Sequence, residues 1–332
     1  MNNSSDHYNG KIFLNPVPTE VMGKGSFLRI LKLYLQNHPN RTPSTPLGPF
    51  YADLHQFNQL ADDDVRVTWL GHSTNIVEID GKRFLTDPLW YQRASPFTAI
   101  GPKRFFDNPI PIHKLPAIDY ILLSHDHYDH LDKDSVLHLL STRIPIITME
   151  GVGKRLINWG ADKSLITELD WWQQTELPNG FMITALPSRH FSGRWLSDRF
   201  STLWGSFAIK GPLHNVYFGA DSGYFDGFKT IGDKLGPFDL TMLDSGAYNK
   251  EWESIHMGPE NAVQANLDLK GKLLMPIHWG TFNLAMHPWK EPVERIIKAA
   301  QIHHVPLFLP KPSETRSIIN GAYNSRWWES YK

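Results

Sequence analysis

Six consecutive residues, His125-Asp126-His127-Tyr128-Asp129-His130, put three imidazoles and two carboxylates into one short stretch. Neutral imidazole nitrogens and carboxylate oxygens are the donors of zinc and other first-row metal sites, so the run is a metal-site signal. The chain has no cysteine, which removes thiolate zinc sites, disulfide staples and cysteine nucleophiles together. Any metal must therefore sit on His and carboxylates. Further donors stand where apolar runs end: His190 in PSRHFSG, Asp221 in YFGADSGY and His278 in PIHWGTF. A lone strand-terminal Asp is a weak signal, because Asx residues also make turns. The set is stronger than its members, since the intervals between them are long enough for the chain to add strands and helices and return to one sheet edge.

Such donors need rigid elements behind them. The body opens with VRVTWL (65–70), NIVEID (75–80) and RFLTD (83–87), short β-branched runs with a tight-turn signal at Asp80-Gly81. DYILLSHDH (119–127) is a continuously apolar strand ending in the His/Asp run, and DKDSVLHLL after it has helix character with Asp132 as cap candidate. Further strands are expected at 144–149, 181–188, 206–210, 215–221, 239–243 and 272–280, with helices over 258–269 and 292–303. This alternation indicates α/β layers. NHPNRTPSTPLGPF (37–50) is an irregular connector. The expected organisation is an N-terminal extension over 1–60 and one main domain over 61–332.

With 33 Lys and Arg against 34 Asp and Glu, the net charge of −1 offers no bulk field for a nucleic acid, which counts against RNA or DNA as partner. The polar start, Met1 to Phe13, reads as no export signal. No apolar stretch reaches the roughly 18 residues of a membrane span. GSFLRILKLYLQ (25–36) is read first as an amphipathic helix packed on the body and second as a membrane-surface contact. The expected location is cytoplasmic or peripheral to a membrane, and a homodimer would be one natural assembly.

HDHYDH resembles the H-x-H-x-D-H signature of the metallo-β-lactamase fold, with His190, Asp221 and His278 in the order of its remaining ligands. VTWLGHST, FLTDPLW, GPKRF, HYDHLD, ELDWW, LWGS, GPFDL and IHWGTF together resemble N-acyl phosphatidylethanolamine-hydrolysing phospholipase D, from about Val67 to Thr281. Two departures stand in this stretch: Asp126 where the family suggests Asn, and Asp244-Ser245 where it suggests a more apolar pair. The resemblance implies an αββα four-layer sandwich. It also implies two Zn²⁺ per chain, one on His125, His127 and His190, the other on Asp129, His130 and His278, with Asp221 bridging; iron or manganese would also fit such donors. The implied reaction is hydrolysis of an N-acyl phosphatidylethanolamine-like phospholipid to phosphatidate and N-acylethanolamine by a metal-bridging hydroxide, with Asp129 orienting it. A fold of this kind hydrolysing a small phosphodiester, a lactone or RNA is the alternative. His256 either serves the site, as phosphate ligand or leaving-group acid, or caps the helix beginning near Pro259. His72 matches the family's GHST-like turn and is read first as a turn residue satisfied by backbone contacts.

Overall fold

A computed structural model describes residues 5–21, 29, 32, 36, 38–60, 62–97 and 99–332. Apart from Arg29, Lys32 and Gln36, the segment 25–36 lies outside the described residues. Strands β1 (Val65–Gly71), β2 (Thr74–Ile79) and β3 (Lys82–Thr86) form an antiparallel meander. The Asp80-Gly81 turn between β2 and β3 has φ of 46° and 80° at its two residues, the double left-handed turn whose twist suits a two-residue hairpin. Parallel strands β4 (Tyr120–Leu123), β5 (Ile146–Met149) and β6 (Ile166–Leu169) extend this sheet from β3. Their intervening helices are α1 (Lys133–Leu140), whose cap Asp132 accepts from the Ser135 amide at 3.0 Å, and α2 (Val152–Asn158).

The second sheet begins with the antiparallel strands β7 (Gln174–Leu177), β8 (Phe181–Leu186), β9 (Ser206–Lys210) and β10 (Asn215–Phe218). After helix α3 (Gly227–Leu235), strand β11 (Leu240–Asp244) pairs parallel to β10. Helix α4 (Gly258–Asp268) then leads to the parallel strand β12 (Leu274–Ile277). Helix α5 (Glu291–His303) follows, and two short strands, β13 (Phe308–Leu309) and β15 (Tyr323–Asn324), pair with each other. Between them β14 (Thr315–Ser317) closes the first sheet against β1.

One hydrophobic core joins the two sheets, with Phe84 of β3 and Phe181 of β8 facing each other at 5.9 Å between ring centroids. The fold is the metallo-β-lactamase fold, with helices flanking the paired sheets. Because β1, β3 and β4 run the same way in one sheet, and β8, β10, β11 and β12 in the other, all seven strands present their C-terminal ends on one edge of their sheet. No helix among the described residues is long and apolar enough to cross a membrane.

Candidate metal centre

Each predicted donor follows one of those strand ends: His125, His127, Asp129 and His130 after β4, His190 after β8, Asp221 after β10 and His278 after β12. The structure brings all seven together. The ligand-type atoms of His125, His127, His190 and Asp221 lie within 4.8 Å of one another, as do those of His72, Asp129, His130 and His278. Asp221 Oδ2 stands between the groups, 3.1 Å from His130 Nε2, 3.2 Å from His278 Nε2, 3.6 Å from His190 Nε2 and 3.9 Å from His125 Nε2. Several strand-end residues pay for this convergence in backbone strain: His72, Asp87, Ala220, Ala247 and His278 all have positive φ. Gly246 makes the close approach of β11 and β12 possible, since a Cβ there would meet the His278 carbonyl oxygen at 2.0 Å.

Hydrogen bonds fix which nitrogen each imidazole offers. The His190 Nδ1–H donates to the Ile255 carbonyl at 3.0 Å, leaving Nε2 as a lone pair. Ser124 Oγ donates to Asp87 Oδ2 at 2.7 Å, so at 2.9 Å it accepts from His125 Nδ1–H, and His125 also turns Nε2 inward. His127 Nδ1 then lies 2.9 Å from His125 Nε2 and 3.2 Å from His190 Nε2, while its own Nε2 is buried without a partner. One ring proton cannot satisfy three converging nitrogens, and a cation can. His130 Nδ1–H donates to Asp87 Oδ2 at 2.8 Å, so its Nε2 faces Asp221 and Asp129. Carboxylate-buttressed imidazoles of this kind are a regular feature of metal sites.

Electrostatics separate the two groups. Burial holds His125, His127 and His190 below the ordinary imidazole range, so they stay neutral. Burial opposes charge on His130 and His278 too, but Asp221 and Asp129 lift His130 well above its usual value, and Asp221 and Asp244 lift His278 to about 10. Against the same burial, Asp129 and Asp221 are held well below the carboxylate range by these imidazoles. Two buried carboxylates thus demand positive charge, which protons or metal ions can supply. The donor set fits a metal pair.

Sequence reasoning missed four residues here. His72 does satisfy its backbone as expected, its amide donating to Thr281 Oγ1 at 2.7 Å, but its ring is also in the site, donating from Nε2–H to Asp129 Oδ2 at 3.0 Å. Burial and His278 push the His72 ring down to about 3, so it remains a neutral donor. Asp87, at the end of β3, binds Ser124 and His130; a signal was present, since it too ends an apolar strand. Asn15 grips the backbone of His190 on both sides, accepting from its amide at 3.0 Å and donating to its carbonyl at 2.7 Å. Asp244, one of the two departures, accepts from His256 Nδ1–H at 2.7 Å. This corrects the cap reading of His256: helix α4 has Met257 at its N-cap with no side-chain cap bond, and His256 stands in the site, its ring 5.1 Å from that of His278. Asp126, the other departure, pairs with Arg155 at 2.7 Å and accepts from the Gly193 amide at 2.7 Å, tying down the loop after His190.

The centre opens into a cleft of about 320 Å³ lined by His127, Asp129, His190, Asp221, His256 and His278 together with Val21, Phe191, Trp252, Ile255 and Leu284. A larger cleft of about 1020 Å³ between residues 41–51 and 101–108 contains none of the clustered imidazoles. The chemistry therefore belongs to the smaller one.

The beta-lactamase superfamily domain matches residues 82–279. An uncharacterised protein of Mycobacterium tuberculosis is 41% identical over 330 residues, covering 98% of this chain and 87% of the relative. N-acyl-phosphatidylethanolamine-hydrolyzing phospholipase D 1 of Caenorhabditis elegans is 38% identical over 291 residues, 82% of each chain. Among solved structures, the metallo hydrolase Igni18 of Ignicoccus hospitalis shares the fold with a TM-score of 0.57 at 20% identity, over 76% of this chain and 97% of its own. The protein is a metal-dependent hydrolase, and its chain belongs to the N-acyl-phosphatidylethanolamine-hydrolysing phospholipase D family of the beta-lactamase superfamily.

Proposed function

We propose that the protein is a dizinc phosphodiesterase of the phospholipase D type, converting N-acyl phosphatidylethanolamine-like phospholipids to phosphatidate and N-acylethanolamine. The observation that carries this reading is the two-lobed donor set around Asp221 at the base of a cleft with apolar walls. His125, His127 and His190 would hold one ion, Asp129, His130 and His278 the other, and Asp221 would touch both. Two bound divalent ions supply a nucleophile from water at neutral pH and neutralise charge on a phosphoryl oxygen. His72 holds the Asp129 carboxylate in place so that Asp129 can accept a proton from the attacking water. Because His256 gives Nδ1–H to the buried Asp244, its Nε2 is the nitrogen left for the cleft; with the ring carrying a second proton there, that Nε2–H passes to the departing alkoxide while the proton of the attacking water goes to Asp129. Val21, Phe191, Trp252, Ile255 and Leu284 give acyl chains an apolar wall. The same wall disfavours RNA, and a small phosphodiester or lactone is the reading that remains beside the lipid.

The test is mass spectrometry of products from N-acylated and plain phosphatidylethanolamine, bis(p-nitrophenyl) phosphate, a lactone and short RNA. Phosphatidate with N-acylethanolamine is the expected pair. Turnover of the lactone or the small diester alone would overturn the lipid reading.

A further inference from the structure

Among the described residues lining the metal cleft, Arg199 is the one lysine or arginine. Its Nε is buried and has no hydrogen-bond partner. Asp129 Oδ2 and Asp221 Oδ2 face imidazoles. Instead, the guanidinium lies against two aromatic rings, 5.1 Å from the Phe191 centroid and 5.8 Å from that of Phe200.

The arginines nearby differ. Arg155 pairs with Asp126 and Asp198, both at 2.7 Å. Arg194 donates to the carbonyls of Asp126 and Leu131 at 2.9 and 2.7 Å. Arg189 is spread over Thr19 Oγ1 at 3.0 Å and the Tyr224 carbonyl at 3.2 Å. Arg199 is placed by its loop rather than by a counter-charge. The Phe200 amide donates to the Ser192 carbonyl at 2.9 Å, and Gly193 at φ 129° lets the chain return so closely that a Cβ there would stand 2.8 Å from Arg199 Cα. A half-buried guanidinium with a desolvated, unpaired N–H is unfavourable unless something entering the cleft completes it.

We propose that Arg199 is the anion-binding residue of this cleft, donating to a non-bridging oxygen of a phosphate ester held over the metal site. The ligand class is a singly or doubly charged phosphate group, whether on a lipid or free. Guanidinium matches such oxygens in a planar, charge-assisted contact that lysine reproduces only in part. The inference rests on the phosphodiester reading above for its catalytic consequence, but not for the binding itself.

The experiment compares metal-loaded wild type, Arg199→Met and Arg199→Lys. Met keeps an apolar stem over Phe191, and metal content and thermal unfolding are recorded alongside. Calorimetry with inorganic phosphate and with dihexanoyl phosphatidate, and kinetics on bis(p-nitrophenyl) phosphate and a neutral phosphate triester, give the readouts. For Arg199→Met the expected result is a loss of about tenfold or more in affinity for both phosphates and a similar rise in KM for the diester, with Lys recovering part of it. Turnover of the neutral triester should stay within about twofold, because only the charged contact is removed. A loss confined to inorganic phosphate, or phosphate affinity and diester KM within about twofold of wild type, would overturn the role of Arg199 and leave the proposed function intact. Wild type that cleaves no phosphate ester yet binds both phosphates through Arg199 would overturn the proposed function and leave the anion site standing.

Discussion

The two ends of this sandwich use the same pair of side chains for opposite purposes. At the β2–β3 turn, Asp80 accepts from His214 Nδ1 at 2.6 Å and from the amides of Leu213 and His214 at 2.9 and 3.0 Å. That carboxylate is buried and saturated, and it fastens the first sheet to the β9–β10 turn of the second. At the opposite edge, Asp221 Oδ1, His127 Nε2, His130 Nε2 and His278 Nδ1 are buried without hydrogen-bond partners. Histidine and aspartate in contact do not by themselves mark a site. A cluster of unfinished bonds does: single buried polar atoms lack partners elsewhere in the chain, as at His287 Nε2 and Trp327 Nε1, but only at this edge do several metal-ligand donors stand open together among the described residues.

The contrast can be broken by substitution. Asp221→Ala removes the carboxylate shared by both groups and should lower metal content together with turnover by about 10³-fold or more, because it forfeits several kcal/mol of charge stabilisation. Atomic emission of the purified variant beside its kcat checks this. His256→Ala should retain metal and lose about 10²-fold in kcat, the usual worth of a general acid, whereas equal losses of metal and turnover would place it among the ligands. Asp87→Ala leaves the ligand set whole but frees the His130 ring, so metal affinity measured by chelator competition should fall about 10- to 100-fold.

A pH series sharpens the comparison. His278, lifted to about 10 in the metal-free fold, contributes stability that is fully present below the unfolded imidazole value of about 6.5 and is lost as pH rises through about 10. Metal replaces that proton. Thermal unfolding of chelated protein should therefore weaken between pH 6.5 and 10, and metal-loaded protein should lack that weakening. The smallest effect is expected at the saturated end: His214→Ala should cost about 1 kcal/mol, since two amide bonds still hold Asp80, with turnover per folded molecule unchanged. Denaturant melts and kcat at matched active-site concentration measure both.

How much of this was legible in the sequence follows the same division. Strands with strong apolar runs, such as YILL of β4 and NVYF of β10, were readable because both faces are buried, and so was the Asp132 cap. Strand β7 was not: Gln174 and Glu176 are exposed at the edge of the second sheet, and QTEL carries no apolar pattern. Helix α2 is only seven residues long, and α3, GFKTIGDKL, carries glycines at 227 and 232, so neither stood out from its loops. The seven donors were visible because strand ends concentrate unusual residue types. Asp87 carried the same strand-end signal, but a strand-terminal Asp before Pro reads equally well as a turn, so it did not stand out. Asn15 gave no signal at all, since its bonds to His190 depend on a contact across 175 positions that only the folded chain creates.

The most direct test of the central claim is elemental analysis of three proteins purified without added metal: wild type, Asp221→Ala and His214→Ala. Unfinished bonding at the strand-end edge predicts close to two transition-metal ions per chain, mainly zinc, in wild type and in His214→Ala, with a clear deficit in Asp221→Ala. Metal-free wild type with full activity, or an Asp221→Ala variant as fully loaded as wild type, would contradict it.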